Sequence, residues 1–228
     1  KYNYPIELSR VKFYFFENYY PSNSIVFQRK MIEKIGKFDN NLRVLEDKKS
    51  HVKCYQGNAI NLSIFNNDTF DMVLLFGPMY HLISTADKTK ALLEAKRVVK
   101  NGGIILISYC MNEYAVITHG FIDNNIENSF ENNLLDAEFH ISSKENDLYS
   151  FVRLKDIDYL KKQANLKRIK IVSQDGPTEY IKKTINKMND QQFELYFKYH
   201  LKTCEYPELL GASRHVLDIL KKEINDEK

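Results

Sequence analysis

Tyr80 and His81 stand side by side just past Gly77-Pro78, where an apolar run ends. An imidazole titrates near neutral pH, so His81 can act as a general base or orient a polar acceptor, with the Tyr80 hydroxyl beside it. The same pair equally suits a packed turn in which the imidazole only fixes the backbone. Tyr109, Asn112, Glu113 and Tyr114 offer further polar atoms after the next apolar run. His200 and Cys204 lie four apart on a helical stretch, a spacing that suits a metal, but no third or fourth ligand accompanies them. His119 and His140 lack such spacing.

Other chemistries are excluded by what is missing. The 228 residues include only 8 glycines, about half of what an average usage of roughly 7% would give. No two of them form a G-x-G pair, so neither a phosphate-binding loop nor a dinucleotide fingerprint can be written. A serine elbow of the G-x-S-x-G kind is absent too. Cys54, Cys110 and Cys204 are odd in number and widely spaced, which argues against a disulfide framework and favours a reducing cytoplasm. The net charge of +3 is small and dispersed, and the basic run 161–170 reads as a solvated face, so no nucleic-acid partner is expected. Apolar runs fall far short of the roughly 20 residues of a membrane span, and no signal peptide opens the sequence.

The elements that must position these residues are clearest in the middle of the chain. Residues 70–76 (FDMVLLF) and 104–109 (IILISY) read as buried strands. Between them, Thr85 caps a helix over 86–100 whose apolar face is Ala91, Leu92, Ala95, Val98 and Val99. Gly102-Gly103 end that helix. Strand, helix, strand in this order predicts a right-handed crossover in a parallel sheet. A short strand over 52–56 precedes a turn at Gly57-Asn58-Ala59. Residues 110–150 are polar and weakly periodic, as a lid would be. A helix over 154–165, a strand over 168–173, a turn at Asp175-Gly176-Pro177 and one or two helices over 178–201 follow. Residues 215–220 suit either a helix or a last strand. Upstream, residues 12–20 are crowded with aromatics, and helices are expected over 25–35 and 41–49.

The stretch from Asp68 to Tyr109 resembles the fourth strand, helix and fifth strand of class I S-adenosylmethionine-dependent methyltransferases. The residues that carry the likeness are Phe70, Asp71, His81, Leu82, Arg97, Val98, Lys100, Gly102 and Gly103. Residues 168–173 and 215–220 then look like the sixth and seventh strands. The resemblance implies that Gly57, Asn58 and Ala59 face the adenine, with Asn58 standing where the family usually has Asp. It also implies that Phe76 and Gly77 face the methionine end, and that Tyr80 and His81 work near the transferred methyl. The family's glycine-rich loop and first strand have no counterpart before Gly57. Either that segment is missing from around residues 36–42, or the chain is a degenerate member that binds cofactor poorly.

The expected fold is therefore α/β: a Rossmann-like, doubly wound, mostly parallel sheet with helices on both faces. Residues 1–228 are read as one domain, with an N-terminal helical and aromatic segment (1–50), a lid insertion (110–150) and a helical addition (178–210). The resemblance implies methyl transfer from S-adenosylmethionine to a small-molecule acceptor, leaving S-adenosylhomocysteine, with no metal. The alternative is a non-catalytic binding or scaffold protein on the same fold. Oligomeric state is left open.

Overall fold

The computed structural model describes Tyr55 and residues 57–223. The chain divides into two compact units, residues 1–58 and 59–228. The expectations over 12–20, 25–35, 36–42 and 41–49, and the strand over 52–56 apart from Tyr55, lie outside the described residues.

Strand β1 (Phe70–Leu75), helix α1 (Pro78–His81), helix α2 (Thr85–Val98) and strand β2 (Val99–Met111) follow one another as the alternation of apolar runs predicts. β1 and β2 pair in parallel, with Val73 opposite Ile105 and Leu75 opposite Ile107. Beyond β2 come α3 (Asn112–Ala115), a π-helical turn (Val116–Ile122) and α4 (Ile126–Glu131). Then β3 (Phe151–Val152), α5 (Leu154–Gln163) and β4 (Lys167–Ser173) return the chain to the sheet. The last elements are α6 (Lys182–Ile185), α7 (Asp190–Thr203), α8 (Pro207–Leu210) and β5 (His215–Lys221). The ambiguity over 215–220 resolves as a strand.

The strand order is β1-β2-β5-β4, with the short β3 also on β2. β5 runs antiparallel to both of its neighbours, while β2 runs parallel to β1 and β3. The sheet is thus mixed but mostly parallel, as expected. Reversal of β5 has one consequence for chemistry: its first residue, His215, lies opposite Cys110 near the carboxyl end of β2.

Cross-strand partners point to one face of a sheet. Val73, Leu75, Ile105, Ile107, Tyr109, Val216 and Leu220 share such a face, and they merge with Ala91, Leu92 and Ala95 of α2 and Ile157 and Leu160 of α5 in one core. The apolar face read from the sequence of α2 is the buried one. On the opposite face Met72 and Leu74 are exposed, whereas Ser108 and Cys110 are buried. Asp218 also points into the covered face and is fully buried. Arg168 grips it with two parallel bonds, Nε to Oδ1 at 2.6 Å and Nη2 to Oδ2 at 2.8 Å.

Two boundaries differ from the sequence reading. Ser84, not Thr85, caps α2, its hydroxyl accepting from the Asp87 N–H at 3.0 Å. The helix also ends at Val98 rather than at Lys100, because Val99 is already extended. Pairing with β1 then skips from Val99 to Ile104, while β1 advances only from Phe70 to Met72. Residues 100–103 bulge out of the ladder in between. Gly102 has a φ of 76° there, and a Cβ on Gly103 would lie 2.9 Å from the Asp71 carbonyl. The paired glycines therefore make a bulge at the start of β2, not a helix stop.

At this amino end of the sheet, Arg97 ties down the loop that leads into β1. Its Nε and Nη2 donate to both Glu94 oxygens, at 2.7 and 2.9 Å. Its Nη2 also donates to the Leu62 carbonyl at 2.9 Å, and its Nη1 to the Phe65 carbonyl and Asn67 Oδ1 at 2.8 and 3.0 Å. Glu94 in turn accepts from the Leu62 N–H. Hydrogen bonding to Arg97 holds the Glu94 carboxyl below the ordinary carboxylate range, against the opposing cost of burial. Lys100 reaches Asp71 across the bulge at 2.7 Å.

Candidate functional site

In an open α/β sheet, ligands lie beyond the carboxyl ends of the parallel strands. At that end of β1 the chain turns at Gly77, and Pro78 starts α1 at a position whose N–H would find no acceptor within the helix. A Cβ built on Gly77 would meet nothing within 4 Å, so the space over this turn is open. Tyr80 is buried, and its hydroxyl donates to the Phe76 carbonyl, folding α1 back over the end of β1. His81, half-buried, lies next to it with ring centroids 4.9 Å apart.

A second stretch closes on this turn from the far side of the 110–150 region. His81 Nδ1 donates to the Leu148 carbonyl at 2.9 Å, since a carbonyl can only accept. The Ser150 N–H donates to the Tyr80 carbonyl at 2.8 Å. Lys88 Nζ donates to the Ser150 hydroxyl at 2.8 Å and to the Ile83 carbonyl at 3.0 Å. Lys88 is only 4% exposed, and burial pulls its ammonium down to about 8, opposed by Asp156. The Tyr149 ring consequently stands 5.4 Å from His81 and 6.2 Å from Tyr80. His81 thus fastens the Leu148 backbone through Nδ1.

The third wall comes from the ends of β4 and β5. The His215 ring is 6.1 Å from Tyr80, and its Nδ1 lies 2.8 Å from Asp175 Oδ2. The same carboxylate oxygen accepts from the His215 N–H at 2.8 Å. Asp175 sits two residues past the end of β4, in the turn that continues through Gly176 at φ 53°. Ser213, fully buried, joins the two strand ends: its Oγ accepts from the Gly176 N–H at 3.0 Å and donates to the His215 carbonyl at 2.6 Å. Around them, Tyr114 and Tyr180 meet edge to face at 5.3 Å, and Tyr180 donates to the Ala212 carbonyl. Burial pushes the Tyr180 phenol and the nearby Cys110 thiol each up to about 12. Both stay protonated near neutral pH.

The structure thus gathers Phe76, Gly77, Tyr80 and His81 at one end of the sheet. Of the other expected site residues, Gly57 and Asn58 are exposed and close the first unit, and Ala59 is buried in the core of the second. His200 and Cys204 gain no partner set: among the described residues, no cluster of three metal-ligating side chains occurs. An open groove lined by Ile60, Asn61, Phe65, Glu94 and Arg97 lies at the opposite, amino end. Arg97 and Glu94 are committed to the loop there, so the groove is a by-product of that clamp. Sequence reasoning overlooked Asp175 and His215. The available signal was an acidic residue in the turn after one strand and a histidine opening the next.

A family model described as a methyltransferase domain matches residues 25–107, which takes in β1, α1, α2 and most of β2. No curated protein sequence matches the chain. Among solved structures, the chain is similar to an S-adenosylmethionine-dependent methyltransferase from Methanosarcina mazei. That match has 12% identity and a TM-score of 0.45, and covers 76% of this chain and 68% of the other. A possible histamine N-methyltransferase from Thermotoga maritima aligns with 16% identity and a TM-score of 0.41, over 76% of this chain and 65% of its own. Geranyl diphosphate C-methyltransferase from Streptomyces coelicolor, solved with Mg2+, geranyl diphosphate and S-adenosylhomocysteine, aligns at 13% and 0.42, over 75% and 53%.

Proposed function

We propose that the chain, whose residues 25–107 match the methyltransferase-domain model, binds S-adenosylmethionine and methylates a small molecule at the carboxyl end of its sheet. The family match carries this reading, and the open turn at Gly77 supports it. The backbone of Phe76 and Gly77 would hold the methionine end of the cofactor. Bound there, the cofactor supplies a methyl group on a positively charged sulfur. The chain's own contribution is to align the acceptor and keep water out. Tyr80 and Tyr149 wall the space, and His81 and His215 bring the titratable nitrogens. Among the described residues Cys110 and Cys204 are free thiols, which suits a reducing cytoplasm, and no helix is long and apolar enough to cross a membrane.

The test is binding by the full chain. Calorimetric titration with S-adenosylmethionine and with S-adenosylhomocysteine should give saturable heat, and each ligand should raise the melting temperature. At a hundredfold excess over Kd the stabilisation is about 2.7 kcal/mol. Neither heat nor a melting shift at millimolar ligand overturns the proposal.

A further inference from the structure

We propose that helix α7 is a self-association surface, through which two copies of this chain pair antiparallel about a two-fold axis passing Phe197. This pairing does not depend on the methyl-transfer reading.

The helix is well made but poorly covered. Asn189 caps it, its side chain accepting from the Gln192 N–H at 2.9 Å while the Gln192 side chain accepts from the Asn189 N–H. Of its 14 residues only Thr203 is buried. Tyr196, His200 and Thr203 mark the side turned to the protein. The Tyr196 hydroxyl meets Thr178 Oγ1 at 2.6 Å, and a Cβ on Gly176 would lie 3.1 Å from His200 Nδ1. At about 100° per residue, Phe193, Phe197 and Leu201 form a separate row beside that side, at i, i+4 and i+8. Phe193 is 51% and Leu201 54% exposed, and Phe197 is half-buried. Large apolar side chains that repeat along one exposed row, rather than standing singly, mark a contact surface.

The row's own pattern identifies its occupant. Turned end over end about Phe197, it matches itself: Phe193 of one copy falls opposite Leu201 of the other, and Phe197 meets its own counterpart. Such self-complementarity is what an isologous two-fold contact demands. The charges that border the row obey the same operation. Glu194 precedes the centre by three residues and Lys198 follows it by one. In the antiparallel pair the Glu194 of each copy therefore stands two residues, about 3 Å along the axis, from the Lys198 of the other. The order along the axis is Glu194, the second copy's Lys198, Lys198, the second copy's Glu194. Two opposite-charge neighbours outweigh one like-charge neighbour, so the sum is attractive. Both side chains are free to join this arrangement, since Lys198 and Glu194 are 66% and 61% exposed and lie 3.5 Å apart in their own helix. Leu195 and Tyr199, also exposed, lie beyond this charged border. One pair of 14-residue helices makes a contact at the small end of specific interfaces. The dissociation constant should accordingly be roughly 10–100 µM.

The experiment is sedimentation velocity of the full chain across concentrations spanning that constant. The average mass should rise from one chain to two. Leu201→Lys sets an ammonium against Phe193 of the other copy and should weaken the dimer about tenfold or more. Glu194→Lys alone and Lys198→Glu alone should each weaken it by a similar factor, because each gathers four like charges about the axis. Mixing those two variants should restore a dimer of one copy of each, since the charges then alternate. A merely intrahelical role of the Glu194–Lys198 pair would gain nothing from mixing. The proposal is overturned if the wild-type chain stays single at every concentration, which would leave the row to a different partner. It is equally overturned if Leu201→Lys dimerises like the wild type, or if the mixture stays monomeric. Circular dichroism should show unchanged helix content in all three variants. If Leu201→Lys unfolds, the mixing experiment decides, and if a charge variant unfolds, Leu201→Lys decides.

Discussion

The two ends of the sheet use hydrogen bonds in opposite ways. At the amino end, all five N–H donors of Arg97 are taken up, by Glu94, Asn67 and the carbonyls of Leu62 and Phe65. The guanidinium keeps no N–H for a ligand. At the carboxyl end, His81 and His215 each commit one ring nitrogen to the protein, to Leu148 and Asp175 respectively. Their other nitrogens are available in the neutral ring. A saturated cation makes a clamp, and a half-committed imidazole keeps one nitrogen uncommitted. The same core, running from Leu75 and Met79 to Val216 and Leu220, supports both.

The contrast can be broken in three places. The largest effect is expected at the clamp: Arg97→Met removes five bonds and leaves the Glu94 carboxylate without its cationic partner. Urea unfolding should show a loss of roughly 2–4 kcal/mol, with Arg97→Lys in between. A loss below about 0.5 kcal/mol would mean that the amino end is held by packing alone.

A smaller effect is expected from Lys88, which fastens Ser150 beside the carboxyl end. Its ammonium sits at about 8 in the folded protein, against an ordinary 10.5. Between those values the unfolded chain binds more protons than the folded one, so this group makes stability rise with pH across that window. Below pH 8 the full burial cost is present, and above 10.5 it is gone. The difference in unfolding free energy between wild type and Lys88→Met should therefore change by on the order of 2 kcal/mol from pH 8 to 10.5. Parallel curves for the two proteins would show that Lys88 does not titrate as the fold requires.

The smallest effect is expected at Gly77. Its φ of −142° is not in the left-handed region that demands glycine, and a Cβ meets nothing there. Gly77→Ala should leave stability within about 0.5 kcal/mol, while S-adenosylmethionine affinity, read by calorimetry, should fall. Unchanged affinity would move the cofactor away from this turn.

Most of the scaffold was legible in the sequence. Residues 70–75 and 104–109 lie in strands, and the apolar stripe of α2 is its buried face. The motif residues Asp71, Arg97, Lys100 and Gly103 turn out to serve the amino end: an ion pair across the bulge, the loop clamp, and a close backbone approach. Tyr80 and His81 were singled out because they closely follow a strand. Asp175 and His215 were not, because 40 residues separate them, and only the antiparallel return of β5 beside β4 brings them together. The end of α2 was misjudged for a local reason: Gly102-Gly103 suit a helix stop and a bulge equally well, and the pairing of Val99 with Phe70 decided between them.

The sequence by itself determined the crossover β1–α2–β2, since apolar periodicity over consecutive residues is a local property that burial must satisfy. It also excluded phosphate loops, serine elbows and disulfide frameworks, each of which needs particular residues at fixed spacing. Only the tertiary structure decided which polar groups are saturated and which keep a free nitrogen. That distinction depends on partners that come from other elements: Leu148 for His81, Asp175 for His215, and the loop of Leu62, Phe65 and Asn67 for Arg97. A residue's type fixes what it can donate or accept, and the fold fixes what is left over once its neighbours have taken their share.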